Sequence, residues 1–226
     1  MLPIDTAGNF YTEMPTFNPS SQESLSFITE ARRAQMVRCA VEVIAEQGFA
    51  EASLAKIARR AGVSRGVISY HFKDKDDLVD QVVSTFYGEA AQAVIARATS
   101  ENTLSGALRA IITANLEFIS THRAETLAMF EIVANYRDKD GRRLENMRDE
   151  PAHAHQALVD LFQRGQESGE FRSFDPESMA IAVRGAIDGV ILVLARNPSF
   201  DVATHADELA RVFKLATRPP ELKEDA

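Results

Sequence analysis

Residues 53–75 read SLAKIARRAGVSRGVISYHFKDK, which predicts two short helices joined by a tight turn and followed at once by a third helix. The first helix begins at Ser53, whose hydroxyl can cap it. Gly62 supplies the turn, because glycine adopts the left-handed conformation without steric strain. Ser64 caps the second helix, which ends near Phe72. The pattern therefore predicts a helix-turn-helix, a structure whose second helix fits the DNA major groove.

The same residues resemble the DNA-binding segment of the TetR/AcrR family, whose pattern is roughly Thr-x-x-x-Ile-Ala-x-x-Ala-Gly-Val-Ser-x-Gly-x-Leu-Tyr-x-His-Phe-x-x-Lys-x-x-Leu. The positions that follow this pattern are Ile57, Ala58, Ala61, Gly62, Val63, Ser64, Gly66, Ile68, His71, Phe72, Lys75 and Leu78. Ser53 replaces the usual threonine but keeps the capping hydroxyl. Ser69 stands where the family usually has a tyrosine that touches a DNA phosphate, and the neighbouring Tyr70 is a candidate for that contact. Over the rest of the chain the resemblance rests on length and helical plan.

The outer face of the second helix supplies the candidate DNA contacts. Arg65 either donates two hydrogen bonds to a guanine or clamps a phosphate, and Val67 is placed for a thymine methyl group. Gly66 lets the DNA backbone approach closely, and His71 is either a contact or a structural hydrogen-bonder. In similar proteins the lysine that corresponds to Lys75, with the helix N-terminus beside it, holds a phosphate. The full set expected to contact DNA is Ser53, Lys56, Ser64, Arg65, Gly66, Val67, Ser69, Tyr70, His71 and Lys75.

The charge distribution agrees with DNA binding at one end of the chain, although the net charge of the whole chain is -8. Residues 27–75 contain nine Lys or Arg against five Asp or Glu, a net charge of +4. Residues 1–26 carry -3, and the remainder carries -9. A basic head on an acidic body is the distribution that DNA binding by one end requires.

The composition favours a cytoplasmic protein. A single cysteine, Cys39, excludes an intramolecular disulfide and fits a reducing compartment. The first residues lack the basic-then-apolar order of a signal peptide. The longest apolar run, residues 190–195, is too short to span a membrane, so we expect no membrane partner.

The apolar residues recur at helical spacing throughout, which predicts an all-α fold. We expect an N-terminal three-helix helix-turn-helix domain and a C-terminal helical bundle, about nine helices in all, the number that the family resemblance also implies. The expected domains are a disordered tail over 1–26, a DNA-binding domain over 27–74, a ligand-sensing and dimerisation domain over 75–218, and a flexible tail over 219–226. The predicted helices cover about 27–47, 53–60, 64–72, 75–98, 104–121, 124–136, 151–168, 176–197 and 202–217.

The last two predicted helices suggest a dimer. The helix that begins near Pro176 is apolar nearly all round, so it has to be covered on more than one side. Either both helices are plain core helices, or they form a four-helix interface with a second subunit. The residues expected at that interface are Ala182, Gly185, Ala186, Gly189, Val193, Leu209, Val212 and Phe213.

Similar proteins enclose an effector pocket in the helices of the body, and aromatic and Met side chains here could line one. The residues expected to bind a ligand are Phe86, Tyr87, Asn115, Phe118, Met129, Phe130, Val133, Tyr136 and Phe162. Side chains of these types at helical spacing are also what a plain core contains. A pocket needs only a few of them, with one or two polar groups to orient the ligand.

The sequence contains no His-Glu-x-x-His, Gly-x-Ser-x-Gly or phosphate-loop motif, so we expect no enzyme, no cofactor and no metal. His153 and His155 fall on different faces of a helix and make a poor metal pair. The preferred hypothesis is a dimeric repressor that binds a pseudo-palindromic double-stranded operator and is released by a small, largely apolar effector. The alternative is a DNA-binding regulator without such an effector, controlled by a protein partner or acting as an activator.

Overall fold

The computed structural model describes residues 19–138, 140–143 and 150–220. Every regular element in these ranges is a helix, which confirms the all-α class and the nine-helix plan. The helices are α1 Pro19–Gln47, α2 Leu54–Arg60, α3 Arg65–His71, α4 Lys75–Thr99, α5 Leu104–Thr121, α6 Arg123–Asn135, α7 Glu150–Glu167, α8 Pro176–Arg196 and α9 Val202–Thr217.

The first helix begins earlier than the sequence suggested. α1 starts at Pro19 rather than near Phe27, so it includes the last part of the tail that was predicted over 1–26. Proline suits a first helical position, and no glycine or proline interrupts residues 20–47. The remainder of that predicted tail, residues 1–18, and the end of the C-terminal tail, residues 221–226, lie outside the described residues.

Capping side chains set the helix starts, and two of them, Ser53 and Ser64, were predicted. Ser53 Oγ accepts a hydrogen bond from a backbone N–H of α2, and Ser64 Oγ accepts one from a backbone N–H of α3, each at 3.3 Å. Asp74 caps α4 and Asp175 caps α8 through their carboxylates. Gly62, between α2 and α3, has φ +67, a left-handed conformation that favours glycine. These local predictions are confirmed because a cap or turn depends on residues only a few positions apart.

One apolar core joins the helix-turn-helix domain, residues 27–74 (the head), to the C-terminal helices (the body). It contains the inner faces of α1, α2 and α3, the first turns of α4, and four residues of α6 and its C-terminal cap: Ala128, Met129, Ile132 and Tyr136. The core therefore crosses the predicted domain boundary between residues 74 and 75. The reason is that α4 runs on without a break and α6 lies against α1.

A second core holds α5, α7, α8 and α9 together. Phe162 of α7 is fully buried there and packs against Phe171 and Phe174 of the segment that precedes α8. The Glu170 carboxylate accepts hydrogen bonds from the backbone N–H groups of Leu104 and Ser105, at 3.0 and 2.6 Å. The start of α5 is thereby fixed to the α7–α8 segment.

Gly165 should be required for this second core. A Cβ at position 165 would overlap the ring of Phe171, which is buried and has little room to move. We expect Gly165→Ala to lower the free energy of unfolding by about 1–3 kcal/mol, the usual cost of overpacking. Urea denaturation followed by circular dichroism measures this change.

Gly88→Ala is the matched control, because Gly88 also lies within a helix but a Cβ added there would meet no other atom within 4 Å. It should raise stability by about 0.5–1 kcal/mol through helix propensity. Equal stabilities of the two variants would contradict the close packing at Gly165.

Candidate nucleic-acid interface

The helix-turn-helix presents one side of α3 to solvent. Ile68 and Phe72 on its other side are fully buried and anchor it to α1, α2 and α4. Of the predicted DNA contacts on α3, five are exposed: Arg65, Gly66, Val67, Ser69 and Tyr70. The structure thus brings the central part of the predicted set onto one free surface.

Arg65 is the first residue of α3, and its guanidinium makes no hydrogen bond or ion pair with any residue that the structure describes. Gly66 follows it. A Cβ there would lie 3.8 Å from Ser64 Oγ, an ordinary contact distance, so the interior of the protein does not require glycine at this position. The N-terminal end of α3 therefore offers a free cation and a bare stretch of backbone, both suited to close approach of DNA.

Three other predicted contacts already have partners within the chain. The hydroxyls of Ser53 and Ser64 cap α2 and α3, and each keeps its O–H free to donate. The Lys56 ammonium pairs with the Glu51 carboxylate at 2.9 Å, but this pair is exposed and easily exchanged for a phosphate. These side chains lie beside α3 rather than at its outer face.

The end of α3 carries the most exposed aromatic ring of the helix. Tyr70 is 80 % exposed, and its ring meets the His71 ring edge-on, with centroids 5.2 Å apart. His71 is half-buried, and its backbone carbonyl accepts a hydrogen bond from Arg33. Tyr70 projects from the protein next to Ser69, the position at which the expected tyrosine is missing.

Lys75 also has partners within the chain. Its ammonium donates a hydrogen bond to the backbone carbonyl of Phe49 at 2.6 Å and lies 3.8 Å from the centroid of the Phe49 ring. Burial lowers the pKa of Lys75, while the neighbouring Asp76 carboxylate opposes this shift. The side chain is thus turned toward the α1–α2 turn, because the aromatic ring and the carbonyl together satisfy the cation.

Sequence reasoning missed two exposed cations near this surface. Arg59 on α2 and Lys73, just after α3, are exposed and have no ion pair within the described part of the chain. Arg60 differs from them, because it binds the carboxylates of Glu42 and Glu46 on α1. Arg59 and Arg60 are adjacent in sequence, so the sequence alone does not show that Arg60 links α2 to α1 whereas Arg59 faces solvent.

The predicted ligand-binding residues do not form one group. Five of them belong to the first core or pack against it: Phe86, Tyr87, Met129, Val133 and Tyr136. Phe118 is buried, meets Phe86 edge-on at 5.4 Å and stacks on His122 at 4.1 Å. Phe162 lies in the second core, and Phe130 is 37 % exposed.

Two of the polar-tipped candidates, Tyr136 and Asn115, have the following partners. Tyr136 packs edge-on against Phe49, with ring centroids 5.9 Å apart, and burial together with nearby carboxylates raises its pKa to about 12. Asn115 donates to the carbonyl of Ile111 at 2.8 Å and accepts a hydrogen bond from Arg184 of α8 at 3.4 Å. The structure shows an open depression of about 430 Å³ on the outer face of α7, away from all of these residues.

The predicted dimer residues are mostly on the surface. Ala182, Gly185, Gly189 and Val193 are exposed on α8, and Val212 is exposed on α9. Ala186 and Leu209 are half-buried. Phe213 packs inside the second core on the same stripe as Ala206 and Ala210. Large apolar side chains that the prediction did not include extend this surface: Ile181, Leu192 and Leu215.

By length and composition alone, α8 could cross a membrane, which the count of consecutive apolar residues had not indicated. Its inner face nevertheless packs into the second core through Val183, Ile187 and Val190. Core helices of soluble proteins commonly have this composition. Within the described residues, no group of three or more His, Cys, Asp or Glu side chains is arranged to hold a metal ion.

Two short helices joined by a tight turn, the second anchored on one side and exposed with a free cation on the other, form the arrangement of a helix-turn-helix. Comparison with known families agrees: residues 37–82 match the bacterial regulatory proteins of the tetR family, and residues 105–214 match the C-terminal domain of BetI-type transcriptional repressors. The chain belongs to the TetR family of DNA-binding transcriptional regulators.

Individual relatives cover less of the chain. The HTH-type transcriptional regulator BetI of Pectobacterium carotovorum is 38% identical over 95 residues, which are 41% of this chain and 49% of that protein. The chain thus spans about half the length of the curated relatives that it matches. The fatty acid degradation regulator FadR of Bacillus halodurans has the same fold, with a TM-score of 0.72 and 18% identity over 85% of this chain and 96% of that one.

FadR from Bacillus subtilis, solved in complex with stearoyl-CoA, gives a TM-score of 0.67 at 22% identity over 79% of this chain and 96% of that one. At identities this low, the similarity to these two structures shows a shared fold and nothing more.

Arg65→Ala tests base recognition by α3. If Arg65 contacts a guanine, the variant should bind its DNA operator less tightly by about 1–3 kcal/mol. It should also lose its preference at one base pair. Titration of a panel of single-base variants of the site measures both effects. An affinity that falls equally on all sequences would instead assign Arg65 to a phosphate.

Lys75→Ala tests the position of that ammonium. Because Lys75 binds Phe49, we expect the free energy of unfolding to fall by about 1–3 kcal/mol, with no change in the salt dependence of DNA binding. Urea denaturation and DNA titrations at several salt concentrations measure the two quantities. A salt slope smaller by about one would show that Lys75 holds a phosphate in the complex.

Proposed function

We propose that this chain is a ligand-responsive repressor that binds a pseudo-palindromic operator as a homodimer in the cytoplasm, without a cofactor or catalytic activity of its own. The observation that carries the DNA-binding part is the outer face of α3, with Arg65 unpaired among the described residues and Tyr70 projecting. The other predicted contacts remain a proposal. Lys75 is bound to Phe49, so a phosphate contact there would require its release, and we expect none.

The proposed DNA contacts are of two kinds. Arg65, Gly66 and Val67 occupy the first turn of α3, the part of a recognition helix that enters the major groove. Ser69 and Tyr70 lie further along, where a phenol can reach a phosphate beside the groove. Tyr70 thus supplies the contact that Ser69 is too short to make.

Dimerisation is proposed from the uncovered face of α8 and α9. Ile181 is 59 % exposed, and Val212 and Leu215 are each 55 % exposed. An apolar surface of this kind is usually covered in the working form of a soluble protein. Gly185 and Gly189 leave room for close approach of another helix, since neither has an atom within 4 Å of an added Cβ. A twofold axis through this face would present two α3 helices to half-sites roughly 34–36 Å apart.

The route from body to head is proposed to include α6 as well as α4. The turn after α1 is held by both helices: the backbone N–H of Phe49 donates to Glu131 of α6 at 3.4 Å, and its carbonyl accepts from Lys75 of α4. A ligand that prefers a different position of α6 or α4 would therefore move the head. The heads of a dimer would then no longer match the half-site spacing.

The effector is proposed to be small and largely apolar, bound near Phe86 and Phe118, where α4 meets α5. The stearoyl-CoA complex of the Bacillus subtilis regulator makes long-chain fatty acids, which are small and largely apolar, and their CoA esters the first ligands to test. The alternative, a regulator controlled by a protein partner or acting as an activator, is favoured by one observation. The predicted pocket residues already pack in two separate cores.

The first experiment is selection of bound fragments from genomic DNA of the source organism with purified protein at moderate salt. Recovery of an inverted repeat would support a dimeric operator binder. Sequence-blind, salt-sensitive binding would contradict it. Long-chain fatty acids and their CoA esters are then added to the protein–operator complex. Release supports the ligand-responsive repressor, whereas unchanged affinity across such a ligand series favours the alternative.

Ile181→Glu tests the dimer face. A carboxylate in the centre of an apolar interface is strongly unfavourable, so the variant should be monomeric by sedimentation and should bind the operator far more weakly. Ile95→Glu is the matched control, because Ile95 is equally exposed, 58 % against 59 %, but lies on α4. Loss of the dimer in both variants, or in neither, would contradict the assignment of this face.

A further inference from the structure

A single arginine outside the matched helix-turn-helix segment connects three helices of the head. Arg33 lies on α1, before residues 37–82 that match the family profile. Its Nη1 donates to the backbone carbonyl of His71 at 2.6 Å, and its Nε donates to Gln81 Oε1 at 3.3 Å. Its Nη2 lies 3.4 Å from Asp77 Oδ1, and the guanidinium sits 4.4 Å from the centroid of the Phe72 ring.

The contact with His71 matters because that residue ends α3. The last carbonyls of a helix have no partner within the helix, and here Arg33 supplies one. Phe72, which follows, is fully buried beneath the same guanidinium. The far side of the turn is also fixed, since the backbone N–H of Lys73 donates to Asp77 Oδ2 at 3.0 Å. The C-terminal end of α3 is therefore held by one cation and one carboxylate.

The other contacts of Arg33 lead to α4. Asp77 and Gln81 lie one turn apart on that helix, so the planar guanidinium bridges α1, the end of α3 and the first turns of α4. A lysine cannot reproduce this, because it presents a single compact cation rather than a fork of donors. At 29 % side-chain exposure, Arg33 is partly shielded from water, which strengthens charge-assisted hydrogen bonds.

We propose that Arg33 is a positioning residue for sequence-specific DNA binding: it sets the angle of α3 against α1 and α4 without touching DNA. This inference rests on the proposed function. Since α3 reads bases only if its axis is correctly placed in the groove, loss of Arg33 should reduce specific binding and spare phosphate-driven, non-specific binding.

The test compares Arg33→Lys and Arg33→Ala with Arg32→Lys and Arg32→Ala. Arg32 is the adjacent residue, is exposed, and has no hydrogen bond or ion pair among the described residues. Affinities for the selected operator and for random DNA are measured over a range of salt, on protein shown to be folded. We expect both Arg33 variants to lose operator affinity by about tenfold or more, with unchanged random-DNA affinity and salt slope. The Arg32 variants should keep the ratio of the two affinities.

Operator affinities of Gln81→Ala, alone and combined with Arg33→Lys, show whether the hydrogen bond from Arg33 to Gln81 of α4 contributes to DNA binding. If it is, the double variant should lose less than the product of the two single losses. Rescue of operator binding by lysine, or a salt slope lower by about one in Arg33→Ala, would show a phosphate contact and overturn the proposal. An unchanged ratio of operator to random-DNA affinity would overturn it as well. A wild-type protein that selects no sequence would instead overturn the proposed function itself.

Discussion

A seven-residue helix has to be held in place by the rest of the protein, and this constraint governs the head. α3 is too short to be stable alone in water, so its direction comes from contacts at its two ends and along one side. Ser64 fixes the first turn, Ile68 and Phe72 fill the core, and Arg33 closes the last turn. The exposed side makes no contacts that hold the fold together, so its residues are available for recognition.

The second level of organisation is the sharing of one core by head and body. α4 passes from the head into the body, while the C-terminal half of α6 packs on α1. Phe49 lies where these paths meet: Glu131 binds its backbone N–H, Lys75 binds its carbonyl, and Tyr136 packs on its ring. Both helices therefore contact the same turn of the head.

The sequence was sufficient wherever structure depends on near neighbours. The caps at Ser53 and Ser64 and the turn at Gly62 were predictable because each involves residues within a few positions. The partners of long, flexible or amphipathic side chains were not. Lys75 binds a carbonyl 26 positions away, Phe162 and Phe213 pack in the second core, and no local pattern pairs α6 with α1. For the same reason the exposed part of α3 was foreseen better than the ligand-binding residues.

The packing of α6 on α1 also limits how this chain can be recombined with others. Residues 27–74, transplanted onto a different sensory body, would leave the backbone N–H of Phe49 without Glu131 and the inner face of α1 without Met129 and Ile132. A chimera with a folded DNA-binding domain would also have to include the surface of α6 that packs on α1. That surface lies far beyond residue 74 in the sequence. The unit that evolution or an engineer can exchange is therefore discontinuous in sequence, although its recognition helix is a single short segment.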